Sequence, residues 1–240
     1  MPDFRIIKFQ SSIFTPDFII TNSLNIANIA IKTKNDIFNG KSSILPVPQD
    51  APAEIPRIIL SSSDSRWSLN ISAIRTNLFY NSLTDQDTEI KDIEVDKFSS
   101  ISSEFFYEFK KELNLRVQRL AYVTDRVIIR EDALNYILEN FCKENQIKKG
   151  GPLYNAKRFE IHSFKKYPWK DFSINSWVRI KFINFKKKEN EFHPAILVTN
   201  DLNTLSYEED KEMSFEPKKI KEYFEKVPNH LDGILKLYFS

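Results

Sequence analysis

Few side chains in this chain can do chemistry, and their spacing narrows what that chemistry is. Histidine occurs only at His162, His193 and His230, and cysteine only at Cys142. No two histidines have the i, i+4 spacing that sets a pair of imidazoles on one helix face. A lone thiol closes no internal disulfide and no multi-cysteine zinc site. Cys142 ends an apolar helical stripe, so it reads as a structural thiol rather than a nucleophile. If the strands carrying them were neighbours, Glu160, His162, Glu191 and His193 would meet; that defines one reading, a metal-dependent nuclease or hydrolase. Glu-x-Lys occurs at Glu89–Lys91, Glu108–Lys110 and Glu216–Lys218, but none stands on a strand beside a second suitably spaced Asp. The Asp85-Gln-Asp87-Thr-Glu89 run lacks the glycine and spaced final glutamate of a calcium loop, and reads as a solvated acidic loop. There is no Gly-x-Ser-x-Gly elbow. The four glycines, Gly40, Gly150, Gly151 and Gly233, form neither a P-loop nor a dinucleotide fingerprint. The expectation is therefore no catalytic residue, no metal ligand set and no cofactor.

Arginine is the more informative residue. If helices cover one face of a sheet, alternation assigns Arg66, Asn70, Arg75, Asn77, Arg158, Glu160, His162, Trp177, Arg179 and Lys181 to the other face. On the long strand the same rule assigns Arg116, Gln118, Leu120, Tyr122, Thr124 and Arg126 there. Six of the ten arginines fall on this expected face. Guanidinium planes interleaved with Tyr, Trp and His suit phosphates, stacked bases or an acidic partner. They also suit an ordinary solvated face, whose long side chains cover apolar surface and pair with carboxylates. The candidate binding face, for a protein partner or nucleic acid, is Arg66, Arg75, Arg116, Tyr122, Arg126, Arg158, His162, Trp177, Arg179 and Lys181. Lys165-Lys166 and Lys186-Lys187-Lys188 fit hairpin ends, where lysine blunts edge pairing.

The elements that must position these residues follow from periodicity. Strands are expected at Phe4–Gln10, Arg57–Leu60, Arg66–Ser72 and Arg75–Tyr80, then at Leu115–Ile129, Lys157–Lys166, Trp177–Lys187 and Phe192–Asn200. In Leu115–Ile129, Val117, Ala121, Val123 and Val127 mark the core side. Helices are expected within 22–38, from Phe98 to Leu113, at 131–142, and from an N-cap at Ser214 with a break or kink at Pro228. Residues 41–56 hold Pro46, Pro48, Pro52 and Pro56 and read as an extended strap outside any ladder. The order β-α-β-β-β-α thus occurs twice, in pseudo-halves 1–113 and 114–240 of one domain. The fold class is α+β: one antiparallel sheet of about eight strands with helices on one face. The apolar end Leu235-Lys-Leu-Tyr-Phe-Ser240 is expected to dock on the core.

This element order resembles the two-repeat saddle of TATA-box-binding proteins. Leu45–Leu60 with Trp67-Ser-Leu-Asn-Ile-Ser72 resembles bacterial proteins of unknown function. Arg119-Leu-Ala-Tyr122 ahead of Val127-Ile-Ile is similar to a strand in a sporadically distributed bacterial family. Sporadic distribution implies a mobile-element or phage-defence setting, and the resemblance implies no catalytic residues.

The chain is 240 residues with 35 Lys plus Arg against 33 Asp plus Glu, so it is no bulk polycation. That length buries roughly 70–75% of the unfolded surface without a staple. No apolar run reaches membrane-spanning length, and the N-terminus shows no apolar h-region, so a reduced cytoplasmic location is expected. The leading expectation is a non-enzymatic interaction module with a protein partner, in an antiviral defence or toxin–antitoxin-like system. The alternative is a nucleic-acid binder using the Arg and aromatic face.

Overall fold

A computed structural model describes the chain except positions 1, 2, 19, 21, 35, 49, 85, 86, 88, 89, 92, 189, 190, 207, 211, 212 and 240, and the side chains at 187 and 188. Most of the Asp85–Glu89 run, and with it the Glu89–Lys91 pair, therefore lies outside the described residues. So do the side chains of Lys187 and Lys188.

Nine strands form one antiparallel sheet. They are β1 (Arg5–Phe14), β2 (Ser42–Ile44), β3 (Ile58–Ser61), β4 (Trp67–Ile71), β5 (Arg75–Asn81), β6 (Arg119–Ile129), β7 (Glu160–Trp169), β8 (Phe172–Lys188) and β9 (Glu191–Thr204). The helices are α1 (Ser23–Thr33), α2 (Val95–Leu113), α3 (Ala133–Phe141), the single turn α4 (Glu144–Ile147) and α5 (Pro217–Tyr238). The strand order is β2-β3-β4-β5-β1-β6-β9-β8-β7. Read outward from the centre, β1 is followed by the meander β5-β4-β3, and β6 by the meander β9-β8-β7. The order is thus symmetric about the β1–β6 boundary. The ninth strand is β2. Ser42–Ile44 pairs with Leu60–Ile58 just ahead of Pro46, so the ladder reaches into the strap up to its first proline and stops there.

The helices pack on one face because their apolar stripes meet the alternate residues of the strands. Phe98 of α2 stacks on Phe9 of β1 at 4.7 Å and on Trp67 of β4 at 5.6 Å. Phe106 of α2 stacks on Phe224 of α5 at 5.1 Å. Ile137 of α3 packs with Val178, Ile180, Ile196 and Val198 of β8 and β9. Leu235 and Phe239 are buried, and Phe239 meets Phe4 at 4.8 Å, so these residues of the apolar C-terminal end lie on the core, whereas Leu237 is exposed.

Two expectations about α5 change. The helix starts at Pro217, whose missing N–H is harmless in the first turn, rather than from Ser214. It also runs through Pro228 unbroken. Pro228 deprives the Phe224 carbonyl of its i+4 amide donor, and the buried Ser99 hydroxyl of α2 donates to that carbonyl instead. The fold thus supplies from α2 the hydrogen bond that proline removes from α5.

Candidate binding face

Because the helices cover one side, cross-strand register defines the other. Directly opposed residues share a face, so the pairs Phe14–Arg75, Phe14–Arg119, Asp201–Trp177, Thr199–Arg179, Trp177–Phe164 and Arg179–His162 place all these side chains on the open side.

Wide, cationic and aromatic groups line that side over a polar floor. Ser12, Asn77, Asn175 and Asn203 are buried there. The Asn77 side-chain oxygen accepts from Ser12 at 2.7 Å and from Gln10 at 3.5 Å. Above this floor, arginines lie against rings. The Arg119 guanidinium stands 4.9 Å from the Phe14 ring centre, Arg75 5.7 Å from the same ring, and Arg179 5.9 Å from Trp177. Phe164 packs on Trp177 at 4.4 Å yet remains 50% exposed. Exposure of a large ring in that position leaves a π-face free for a planar ligand. Among the described residues, neither Arg179 nor Lys181 has a hydrogen bond or salt bridge to a carboxylate. Lys166 is bound instead to Glu209 at 2.7 Å, and Arg158 to Glu160 at 2.7 Å.

One acid stands in the floor. Asp201 faces Trp177, and burial pushes its carboxyl up, although a 2.8 Å hydrogen bond from Asn203 and the charges of Arg119 and Arg179 oppose that rise. Glu209 has the opposite surroundings. Lys166 first, then the Ser206 amide and Asn175, hold it down to about 2.

The structure brings Arg75, His162, Trp177, Arg179 and Lys181 onto this face, with Arg158 just ahead of β7 at its margin. It removes four of the expected residues. Tyr122 and Arg126 point into the helix side: Tyr122 meets the rings of Phe9 and Phe98, and Arg126 pairs with Asp232 of α5. Gln118, Leu120 and Thr124 likewise do not join the open face as the sequence suggested. The cause is a change of phase. Leu115 and Val117 are buried, but so are Leu120 and Tyr122, so the alternation resets between 117 and 120. The Val117 carbonyl accepts from Phe215 outside the ladder, and β6 begins only at Arg119. A one-residue slip turns every later side chain to the opposite face. Ala121, Val123 and Val127, expected in the core, thus lie on the open side, where Val127 is covered by Phe185, Leu83 and Ile90.

Arg116 lies ahead of β6 and pairs with Asp17 at 3.1 Å. Arg66 is buried and grips Asp87 through Nη2 at 2.5 and 2.6 Å, while Nη1 donates to the Ser82 carbonyl at 3.0 Å. Thr84 foremost, and then Arg66, hold the Asp87 carboxyl far below the usual range. Arg66 is therefore a clamp on the segment after β5.

The metal-site reading fails on topology. β8 lies between β7 and β9, so His162 faces Arg179 and His193 faces Phe185, far from one another along the sheet. Each histidine has a local carboxylate instead, Glu160 at 3.5 Å and Glu191 at 2.9 Å. Cys142 is half-buried at the end of α3, and burial raises its thiol pKa, which disfavours the thiolate.

Sequence reasoning missed Phe14 and Arg119. Phe14 was missed because the first strand was expected to stop at Gln10, whereas β1 runs to Phe14. Arg119 was hidden by the phase error on β6, whose open-face set begins with it.

No protein-family model matches the chain, and no curated protein matches it. Among solved structures, the chain is similar to a rolling circle replication initiator protein from Geobacillus stearothermophilus. That match has a TM-score of 0.31 at 7% identity, covering 94% of this chain and 80% of the other. A likeness at this level assigns neither fold nor activity. No helix among the described residues is long and apolar enough to cross a membrane.

Proposed function

We propose that this protein binds single-stranded nucleic acid on the open face of its sheet. The observation that carries the reading is the Phe164–Trp177 pair, with Phe164 half-exposed on a partly buried Trp177, and beside it Arg179, which makes no hydrogen bond or salt bridge to a carboxylate among the described residues. Bases stack on exposed rings at roughly 1–3 kcal/mol each, and neighbouring cations take the phosphates. An open sheet face with aromatic side chains suits splayed bases, whereas a duplex hides its bases from such a surface.

A protein partner would favour an apolar centre ringed by polar residues. Here the centre mixes Ala121 and Val123 with Ser12, Asn77, Asp201 and Asn203, a largely hydrogen-bonding floor, and the preference for an anionic ligand comes from Arg75, Arg119 and Arg179 around it. The interaction module in a defence or toxin–antitoxin-like system has the sequence resemblance as its support. No step of bond making or breaking is part of the proposal.

The test is fluorescence anisotropy with labelled oligothymidylate and oligouridylate across a salt series. Binding should weaken with salt at about 0.7 log units per phosphate contact per log unit of salt. Trp177→Ala should cost roughly 1–3 kcal/mol with little change in that slope, and Arg179→Ala should flatten it. Salt-independent binding, or binding indifferent to both changes, removes the reading.

A further inference from the structure

A second cationic patch lies at the other wing of the open face, away from Trp177. Arg57 enters β3 where its amide donates to the Ile71 carbonyl at 2.8 Å, and alternation from the buried Ile58 turns its side chain to the open side. Arg75 starts β5 on the other side of β4, where its carbonyl accepts from the Ser72 amide at 2.9 Å. Neither guanidinium has a salt bridge among the described residues. The Nε atoms of Arg57, Arg75 and Arg119 are buried with no hydrogen-bond partner, as is the Asn70 side-chain oxygen between them. Arg75 and Arg119 stand on either side of Phe14. Arg119 also donates through Nη2 to Asn203, and its charge reaches Asp201, but Arg57 and Arg75 have no carboxylate partner among the described residues. A row of guanidiniums of which two share a ring has the chemistry of a phosphate-binding site.

We infer that Arg57, Arg75 and Arg119 form a phosphate subsite that takes successive phosphates, and that one nucleic-acid strand runs from there obliquely over the sheet to Trp177 and Phe164. The three arginines are level with one another across the four strand steps from β3 to β6, about 19 Å. The inference rests on the single-strand reading above. Three strand steps separate Phe14 on β1 from Trp177 on β8, which is about 14 Å at the usual spacing. Phe14 is level with Arg119, and Trp177 is level, through Asp201, with Val123, which adds about 13 Å along β6. From Phe14 the diagonal is about 20 Å, and from Arg57, three strand steps further out, about 32 Å. A strand of that reach belongs at the short end of the ~4–16 nucleotide sites seen on single-strand binding surfaces. Between the two ends the path passes over Asn203 and Asp201, whose hydrogen-bonding side chains face it.

The experiment is anisotropy with two labelled oligothymidylates, one of about 8 nucleotides and one of about 3. Arg57→Gln with Arg75→Gln should weaken the longer probe about tenfold and lower its salt slope by about 1.4, for two lost phosphate contacts. The short probe, held at Trp177, should be unaffected. Arg57→Lys with Arg75→Lys, which keeps the charge, should restore most of the slope. Equal weakening of both probes, no weakening of the long one, or a lysine variant as poor as the glutamine variant would each overturn the subsite. In all three cases Trp177→Ala losing affinity would leave the single-strand reading standing. If the unaltered protein binds neither probe, both readings fall together.

Discussion

Ser99→Ala tests how α5 carries a proline in its middle. Pro228 removes the amide that would bond the Phe224 carbonyl, and the Ser99 hydroxyl takes its place. Both residues are buried between α2 and α5, so water cannot substitute without opening the contact. Removing the hydroxyl should cost about 1–3 kcal/mol, the range for a buried polar group left unpaired. For a chain of this size that is a melting shift of about 2–4 °C per kcal/mol. The second arm is Pro228→Ala, which returns an amide donor to the carbonyl. In that background Ser99→Ala should cost well under 1 kcal/mol, giving a coupling of about 1 kcal/mol or more in a double-mutant cycle. Urea unfolding of the four proteins measures all the terms. Equal cost of Ser99→Ala in both backgrounds would show that the hydroxyl does not replace the missing amide.

Asp232→Asn leaves the nearly buried Arg126 without its carboxylate and should cost about 2–3 kcal/mol, less than a fully buried pair because Asp232 is part-exposed, as chemical denaturation would show. Asp201→Asn removes a negative charge from the floor beside Trp177 and should tighten oligonucleotide binding by roughly 1 kcal/mol or less at low salt; weaker binding would contradict the proposed path. Burial first, and then the charge of Lys170, lower the pKa of His230, which sits against Trp169 and bonds Tyr167 at 2.7 Å. The unfolded chain therefore takes up this proton first, so stability should fall as pH drops from 6.5 through the lower folded value, and His230→Asn should remove that part of the pH dependence in thermal melts. Gly40 and Gly233 should respond oppositely to alanine: a methyl at Gly40 would sit 2.5 Å from the Ser62 backbone and destabilise, whereas Gly233 in α5 has open space and should gain about 0.5–1 kcal/mol.

The sequence carried the architecture further than the face. Periodicity located β4, where Trp67, Leu69 and Ile71 alternate with Ser68 and Asn70, and α2, where Phe98, Phe105, Phe106 and Phe109 hold one stripe. These elements obey one local rule along their length. β6 does not. Leu115 and Val117 belong to a connecting segment buried from outside the ladder, so counting by twos from them inverted the strand. Its core-facing side also holds Thr124 and Arg126, and Arg126 is satisfied there by Asp232 arriving from α5 together with Asn200 of β9. Local sequence cannot report a partner that distant in the chain. His162 and His193 failed to meet because β8, which lies between their strands in the chain, also lies between them in the sheet. Arg75, Trp177 and Arg179 were legible because their strands are regular from turn to turn.

The strand order also constrains how the sheet comes to exist. β3-β4-β5 and β7-β8-β9 are meanders whose ladders join neighbours in the chain, so they can close quickly. β1 and β6 have no such neighbours: Phe9 pairs with Tyr80 on one side and with Thr124 on the other. Until those distant pairings form, each meander presents a bare inner edge, β5 in one and β9 in the other, and edges of that kind recruit foreign strands. The two central strands are therefore the keystones of an arch built from its flanks. Their docking retires two aggregation-prone edges at once, and it does so only after loop closures that a growing chain must wait for.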